Sequence, residues 1–364
     1  MQIMSSADDR ALYRLLIKAD ERRKELTERL RSENTDAWRV FHGTAEGRPG
    51  LTADRYGAYL LAMVFYGELS SEELAALQAY AAARELSLLV WERSAGHKSR
   101  LICGGSALNE DGVLARGEGW TLESLCREEG QIFGISPVSH GKDPYLYLDF
   151  RAGRRWLRRH AAPGQRVLNL FAYTCTAGAA AAARGAEVTN VDFSRWCLEI
   201  GRHNGRLNSV PARRFRFWQE DVFPVIRQLS GLGVKGRAAR RRYLRLEPQK
   251  FDIIVLDPPT AANSPFGRVD LQCDYAAMLK PCLLSLAGGG RILATNHHAQ
   301  VSWEEWNRVL VRTAVKTGLP EPHIERLYPE DDFPTGDGEQ PLKMAVISFK
   351  QNILRHIEAD GNEG

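Results

Sequence analysis

The sequence predicts an α/β fold, in which a mainly parallel sheet carries helices on both faces and an antiparallel strand pair at one edge. Three observations support this prediction. Apolar strand-like runs alternate with helix-like stretches beyond residue 148, two strand-like runs near the C-terminus have no helix between them, and shorter apolar runs with glycine-rich turns come earlier. Strands that alternate with helices favour a parallel sheet, whereas strands joined directly favour antiparallel pairing.

The composition is that of an ordinary globular protein. The chain has 364 residues, of which 44% are hydrophobic and 26% are charged, which is enough for two or three domains. A net charge of +4 and a pI near 8.7 fit an acidic partner such as nucleic acid without requiring one. The six cysteines include no C-x-x-C pair, and no segment resembles a leader or a membrane span. We therefore expect reduced thiols and a cytoplasmic protein.

The N-terminal part is expected to contain a helix followed by a small domain. Leucines recur at a helical period between residues 7 and 32, which predicts one amphipathic helix and an N-terminal helical arm over 1–35. Runs such as AYLLAMVFY and LSLLVWER predict a small α+β domain over 36–145. The larger domain is expected over 146–352, with a tail over 353–364.

The larger domain is predicted to consist of alternating strands and helices, followed by two edge strands. Strands are predicted at 167–171, 187–192, 215–221, 251–257 and 291–296, helices near 177–184, 195–207, 222–230, 270–286 and 303–317, and the edge strands at 323–328 and 343–350.

Acidic residues follow successive strands of this domain. Asp192 ends the second strand, Glu220 and Asp221 end the third, and Asp257 ends the fourth. Ligands of open α/β sheets bind beyond the carboxyl ends of the strands. An acidic residue at the position of Asp192 commonly binds the hydroxyls of a ribose. A carboxylate at the third strand end could accept a hydrogen bond from an adenine amino group. A single acid here is more often a helix cap or turn residue, but together the acids predict a pocket for an adenosine-containing cofactor.

The turn after the first strand favours S-adenosylmethionine over a dinucleotide. It reads NLFAYTCTAG and has one glycine, whereas dinucleotide-binding turns need several glycines to approach a pyrophosphate. The DPPT motif (257–260) supplies a carboxylate and a rigid, carbonyl-rich turn that can hold the edge of a flat acceptor base.

Four ordered motifs resemble a known family. DFRAGRRWL, NLFAYT, VDFSRWCLEIGRHN and FDIIVLDPPT resemble those of class I S-adenosylmethionine-dependent 23S rRNA methyltransferases, over roughly residues 130 to 350. DPPTxxNS is most similar to the guanine-N7 half of the bifunctional rRNA enzyme, and WRVFHGTAEGRPGLTADRYGAYLL is similar to the central domain of cytosine-C5 relatives. An N-terminal PUA domain, common in these relatives, is not expected here. The resemblance implies a Rossmann-like class I methyltransferase domain.

The resemblance also implies site residues, which it places by motif position. Asp149 and Arg151 would border the cofactor, and its methionine end would be lined by Asn169, Phe171, Ala172, Tyr173 and Thr174. Asp192 would hold the ribose and Asp221 would face the adenine, with Phe193, Val222 and Asp257 also in contact with the cofactor. The catalytic acceptor pocket would be formed by Asp257, Pro258, Pro259 and Thr260. No metal is expected.

Two departures from the family pattern bear on activity. Cys175 replaces a glycine, so a side chain is expected to intrude on the cofactor, and a degenerate, non-catalytic RNA-binding protein is an alternative. The fifth strand ends in Thr295-Asn296-His297-His298, without the cysteine that cytosine-C5 enzymes use. A base nitrogen of 23S rRNA, with guanine favoured, is therefore the expected acceptor. Transfer RNA, DNA or protein is the other possibility.

Several other residues near the expected site allow alternative roles. The basic stretch 235–250, with Tyr243, is either a solvated surface or an RNA contact, to which Arg154, Arg155, Arg158 and Arg159 could add. Phe266 or Tyr275 could stack on the acceptor base. His297 and His298 are adjacent, so a pocket-lining role is favoured over metal binding.

Overall fold

The computed structural model describes residues 9–93, 99–103, 124–136, 144–234, 242–264, 267–335 and 340–350. The chain divides into two compact units, one of Met1–Asp149 with Pro329–Glu339 and one of Phe150–Tyr328 with Gln340–Gly364. The chain thus contributes to the first unit twice. The joint lies after Asp149, whereas the sequence-based limits placed it after residue 145 and placed 329–339 in the larger domain.

The first unit contains a five-stranded sheet in the order β1-β2-β3-β4-β5 and a two-stranded sheet of β6 and β7. Parallel β3 and β4 are joined by α4, and the other neighbours are antiparallel. The elements are α1 (Asp9–Arg22), α2 (Lys24–Ser32), β1 (Ala37–His42), α3 (Gly43–Glu46), β2 (Leu51–Tyr56), β3 (Tyr59–Val64), α4 (Ser71–Ala82), β4 (Ser87–Arg93), β5 (Ser99–Cys103), β6 (Ser124–Glu128) and β7 (Gln131–Ile135).

The N-terminal helices belong to the core of this unit. Leu16 of α1 and Leu30 of α2 are fully buried in one cluster with Phe41 of β1. The expectation of a single helix is wrong, because the chain turns at Arg23 between α1 and α2. Arg23 is 2% exposed and donates to both carboxylate oxygens of Glu46, at 2.5 and 3.0 Å. This buried ion pair lies at the break between the two helices.

The second unit contains the alternating part of the chain. Its elements are α5 (Arg151–His160), β8 (Arg166–Leu170), α6 (Thr176–Ala182), β9 (Glu187–Asp192), α7 (Arg195–Leu207), a 3-10 turn (Ala212–Arg214), β10 (Phe215–Gln219), α8 (Val222–Leu229), β11 (Phe251–Leu256), β12 (Ala261–Ser264), β13 (Gly267–Asp270), α9 (Leu271–Leu284), β14 (Leu286–Asn296), α10 (Trp303–Lys316), β15 (His323–Leu327) and β16 (Lys343–Ser348).

A seven-stranded sheet organises this unit in the order β10-β9-β8-β11-β14-β16-β15. The strands from β10 to β14 are parallel, and β16 pairs antiparallel with both β14 and β15. The α/β fold with an antiparallel edge pair is thereby confirmed. The strand order reverses between β8 and β11, which are neighbours although β9 and β10 intervene in the chain. A reversal of this kind opens a crevice at the carboxyl ends of the strands.

The core of the second unit lies on both faces of this sheet. Leu168, Ile254 and Ile292 are paired residues on one face and are fully buried in a cluster that includes Trp306 of α10, while Val255 is fully buried on the other face. Buried parallel strands consist of apolar runs because helices cover both faces. Among the described residues, no helix combines the length and apolar character needed to span a bilayer.

Candidate active site

The turn after β8 has an unusual backbone. Phe171, Tyr173 and Cys175 all have positive φ, at 55°, 47° and 59°. The left-handed region costs a residue with a side chain about 1–2 kcal/mol, and such residues cluster at functional sites. The turn is held by the Ala172 N–H, which donates to the Val191 carbonyl at 3.0 Å, and by the Cys175 N–H, which donates to the Ala172 carbonyl at 2.7 Å. The end of β8 is therefore tied to the end of β9.

Asp192 joins this turn to the start of α7. Its Oδ2 accepts a hydrogen bond from the Tyr173 N–H at 2.9 Å, and its Oδ1 accepts one from the Ser194 N–H at 2.8 Å. Burial raises the pKa of the Asp192 carboxyl, and these two hydrogen bonds oppose that effect. Ser194, rather than Asp192, caps α7 by accepting from the Cys197 N–H at 3.3 Å. Since a carboxylate has about four lone-pair sites, Asp192 retains capacity to accept from a ligand.

Asp221 follows β10 and has a structural role of its own. Its Oδ1 accepts from the Phe223 N–H at 2.9 Å, which makes it the cap of α8. The neighbouring Glu220 accepts from the Leu244 N–H at 2.9 Å, so this carboxylate is engaged with the chain. β9 and β10 pair in register up to Asp192 and Gln219, and the Glu220 N–H donates to the Asp192 carbonyl at 3.1 Å. Asp192 and Asp221 therefore lie at the same edge of the sheet.

Asp257 forms a side-chain cluster with the end of β14. Its Oδ1 accepts from the Thr295 hydroxyl and lies 2.8 Å from His297 Nε2. Asp257 and His297 are 27% and 28% exposed, so the cluster is partly accessible. The sequence analysis did not find this pair, which joins residues 40 positions apart. The available signal was the expected proximity of the strand ends that carry them.

The rest of DPPT lies around Asp257. Pro258 is buried, Pro259 is half-buried and Thr260 is exposed, and the hairpin of β12 and β13 follows directly. Tyr275 cannot stack on a base in this structure, which corrects that expectation. It is 3% exposed on α9, and its ring meets Trp306 edge-on at a centroid distance of 5.5 Å. The other candidate, Phe266, lies outside the described residues.

Comparison with known proteins identifies the family. The family model described as S-adenosylmethionine-dependent methyltransferase matches residues 38–348. The chain belongs to this family.

Among curated relatives, the ribosomal RNA large subunit methyltransferase I of Aeromonas hydrophila is 28% identical over 84% of this chain and 72% of its own length. The ribosomal RNA large subunit methyltransferase K/L of a Psychrobacter species is 34% identical over 50% of this chain and 21% of its own. A crystal structure of a methyltransferase complexed with S-adenosylhomocysteine has a TM-score of 0.74 at 22% identity, covering 95% of this chain and 83% of that chain.

The chain is therefore a methyltransferase that uses S-adenosylmethionine, and the sheet edge offers a suitable hydrogen-bond acceptor and apolar surface. The partly satisfied Asp192 carboxylate suits the hydroxyls of a ribose, because its remaining lone pairs can accept two further hydrogen bonds. Phe193 is 42% exposed directly after it and offers an aromatic surface, while Val222 is 4% exposed beside Asp221. These four residues include no basic side chain that could pair with a phosphate. Their chemistry therefore fits an uncharged nucleoside.

The thiol of Cys175 does not intrude on this edge, contrary to expectation. Cys175 is fully buried, and its Sγ packs against Gly201 of α7, where an added Cβ would lie 2.5 Å from it. The left-handed backbone of Cys175 turns the side chain into the core. Burial raises the pKa of this thiol. The main reason for considering a degenerate, non-catalytic protein is thereby removed.

Two other residues expected at the methionine end are buried. Asn169 is 1% exposed and donates to Asn190 Oδ1 at 2.9 Å. Gly178 of α6 lies directly over this pair, since a Cβ there would approach Asn190 Oδ1 to 2.2 Å. Thr174 is also 1% exposed, and its carbonyl accepts from Asn204 Nδ2 at 2.9 Å. The Asn169 side chain thus joins β8 to β9 beneath α6, and the expected cofactor contact is left to the half-buried residues of the turn.

The arginines of α5 differ in accessibility. Arg151 and Arg154 are each 1% exposed. Arg154 therefore cannot contribute to an RNA-binding surface, which corrects that expectation, whereas Arg159 is exposed. Asp149 belongs to the first unit. Burial alone would lower the pKa of the Arg39 guanidinium there, but the charge of Asp54, and more weakly that of Asp149, raises it.

In the described part of the basic stretch, Gln228 adds two hydrogen bonds to the one that Glu220 accepts. Gln228 of α8 donates to the Leu244 carbonyl at 2.9 Å and accepts from the Leu246 N–H at 3.2 Å, as a neighbouring strand would. Tyr243 is half-buried, with the Arg245 guanidinium 4.7 Å from its ring centroid. The basic residues at 235–241 lie outside the described residues, so their contact with RNA remains a prediction.

Proposed function

We propose that this methyltransferase modifies a base nitrogen, with guanine favoured, in the RNA of the large ribosomal subunit. The names of the relatives support ribosomal RNA as the acceptor. The choice of nitrogen rests on one observation: the ends of β11 and β14 carry the cluster of Asp257, Thr295 and His297, with no cysteine in either motif. Carbon-5 of cytosine needs covalent activation by a nucleophile, so a site without a thiol is suited to an atom that already has a lone pair.

Asp257 would recognise the acceptor base. Thr295 and His297 both contact Oδ1, which fixes the carboxylate in one orientation and leaves Oδ2 to face a ligand. The Watson–Crick edge of guanine presents two neighbouring N–H groups, both of which can donate to a carboxylate. Pro258 and Pro259 restrict the backbone on which Asp257 is mounted. The base would therefore be held by its edge, with N7 on the far side of its rings.

Guanine N7 places modest demands on the protein. When bound, S-adenosylmethionine supplies a methyl group activated by a positively charged sulfur. N7 carries no proton, so the protein must align the base but need not remove a proton. The product base is cationic, and the Asp257 carboxylate would stabilise the positive charge that develops on it. Asp192, Phe193, Asp221 and Val222 would hold the adenosine, and the turn after β8 would face the methionine end.

The test is methylation of purified ribosomal RNA followed by nucleoside analysis. The protein is incubated with S-adenosylmethionine carrying a labelled methyl group and with unmodified 23S rRNA, either free or in assembled subunits. We expect label in 7-methylguanosine, and Asp257→Asn should reduce incorporation at least tenfold, about the loss of one charged hydrogen bond. Asp252→Asn is the matched control, because Asp252 lies near the opposite end of β11 and accepts from the Arg166 N–H at 2.8 Å.

The outcomes separate the parts of the proposal. Label in 5-methylcytidine would overturn the argument from the absent thiol, and label in methyladenosine would overturn the preference for guanine. Label in transfer RNA, DNA or protein, with none in either form of ribosomal RNA, would overturn the acceptor class.

A further inference from the structure

Two arginines in the first unit lie against one tryptophan. The guanidinium carbons of Arg31 and Arg55 are 5.3 and 4.8 Å from the ring centroid of Trp38. Trp38 itself is 4% exposed, so its indole is a support for the arginines and is not available to stack on a base. Cation–π contacts of this kind hold a guanidinium in place without neutralising its charge.

Neither arginine has a carboxylate within ion-pairing distance among the described residues. The Nε of Arg55 donates to the Gly57 carbonyl at 3.0 Å, which leaves its two terminal nitrogens for other acceptors. The nearby Asp36 is already occupied, since it accepts from the Arg127 N–H at 2.6 Å and lies 3.7 Å from the Arg127 guanidinium. Arg31 is exposed on α2. The pair thus presents two fixed positive charges.

The arginines line a groove of about 320 Å³ with an excess of positive charge. Lys24 and Arg84 are the other cationic residues in its lining, and Asp20 and Glu21 are the acidic ones. Asp20 is engaged by Arg84 and by the Tyr80 hydroxyl, at 2.7 Å in the latter case. Glu21 therefore stands against three cations.

The free protein keeps these charges together at an electrostatic cost. Burial is the main effect and lowers the pKa of Arg55; the charge of Asp36 opposes it, and the smaller repulsion from Arg31 adds to it. A bound anion would favour the charged form of Arg55 against both its burial and the repulsion from Arg31. Arginine forks match the oxygens of a phosphate, and two of them can donate to one phosphate group from different directions.

We propose that this groove binds a phosphodiester of the RNA backbone, with Arg31 and Arg55 as its donors and Lys24 at its rim. This assignment rests on the proposed function, since it names a second point at which the RNA acceptor is held. Because the contacts are to phosphate and the indole is covered, the groove would position RNA without reading its sequence.

The test is the salt dependence of RNA binding. Fluorescence anisotropy would measure the affinity of the full chain for a 23S rRNA fragment over a range of salt concentrations. Loss of one phosphate contact to single-stranded RNA lowers the slope of log K against log salt by about 0.7 and weakens binding about fourfold near 0.15 M salt. We expect this change for Arg31→Gln and for Arg55→Gln. The charge-retaining Arg31→Lys and Arg55→Lys should keep the slope.

Arg29→Gln is the matched control. Arg29 lies on the same helix as Arg31, but it pairs with Glu330 at 3.2 Å and is not part of the groove lining. Its slope should equal that of the unsubstituted protein. If the unsubstituted protein binds RNA and both glutamine variants keep its slope, the groove is not a phosphate site while the proposed function stands. If the unsubstituted protein neither binds nor methylates ribosomal RNA, the proposed function itself fails. Arg31 is exposed, so Arg31→Gln decides the question even if Arg55→Gln does not fold.

Discussion

Replacement of Gly201 by alanine should drive a methyl group into the side chain of Cys175. The added Cβ would lie 2.5 Å from Cys175 Sγ, 2.9 Å from its Cβ and 3.3 Å from Phe217 Cε1. Cys175 cannot easily yield, because it is fully buried and its backbone is fixed at a φ of 59°. Overpacking of this kind costs about 1–3 kcal/mol.

The complementary change, Cys175→Gly, should be nearly neutral. It relieves a left-handed conformation worth about 1 kcal/mol and removes a small buried side chain worth about the same. In the Gly201→Ala background, however, it also removes the collision. We therefore expect the double variant to recover most of the lost stability, with a coupling free energy of about 1–3 kcal/mol.

Urea unfolding followed by circular dichroism would measure these free energies. The relevant transition is the one that S-adenosylmethionine shifts to higher urea, because a ligand stabilises the unit that binds it. Calorimetry would give the cofactor affinity of each variant. Gly233→Ala is the control, since a Cβ there meets no atom within 4 Å. Purely additive losses, or a cofactor affinity that changes strongly in Cys175→Gly, would refute the inward placement of the thiol.

Three further predictions concern individual side chains. Asp192→Asn should weaken S-adenosylmethionine binding about 10- to 100-fold by calorimetry, because it removes a charged acceptor; an unchanged affinity would exclude Asp192 from the cofactor site. His297→Ala should lower kcat about 10- to 100-fold at unchanged cofactor affinity, because Asp257 loses a donor that orients it; a loss confined to cofactor affinity would contradict this role. Burial, followed by the charge of Arg39, lowers the pKa of His42 from 6.5 to about 4. The unfolded chain therefore binds more protons between these values, and stability should fall as pH drops from 6.5 to 4, by on the order of 2 kcal/mol after allowance for solvent screening. His42→Gln should flatten the pH dependence of the unfolding free energy in that window, and an unaltered slope would refute the assignment.

Local sequence signals account for much of the second unit. The limits of β9 (187–192) and α7 (195–207) are those predicted, because the strand is a short apolar run and Ser194 supplies a helix cap. β10 is shorter than predicted, since Asp221 turns the chain to cap α8. β14 begins at Leu286 rather than 291. Leu286 already pairs with Phe251 of β11, and regular pairing continues from Arg291 after an irregular segment around Gly289. These differences arise where tertiary pairing and capping override local pattern.

The parts of the site that the sequence did not reveal depend on side-chain direction and strand order. The Asp257–His297 contact needs β11 and β14 to be neighbours, and adjacent strand ends do not specify which side chains will meet. The inward turn of Cys175 follows from a left-handed backbone, which a non-glycine residue does not announce. Arg154 looked like a surface residue from its charge alone, and only the burial of its helix face shows otherwise.

The segment Pro329–Glu339 has a consequence for the modularity of this protein. Its Asp332 accepts from the Arg39 N–H through Oδ2 at 2.9 Å and from Arg23 Nη2 through its carbonyl at 3.2 Å. A fragment that ends at residue 149 would lack both acceptors. The buried Arg23 and the backbone of β1 would each lose one hydrogen bond. Gene fusion or domain shuffling at that joint would thus separate two stretches of sequence that belong to one compact unit. The first unit can be transferred intact only together with a segment encoded roughly 180 residues downstream, the span from 149 to 329.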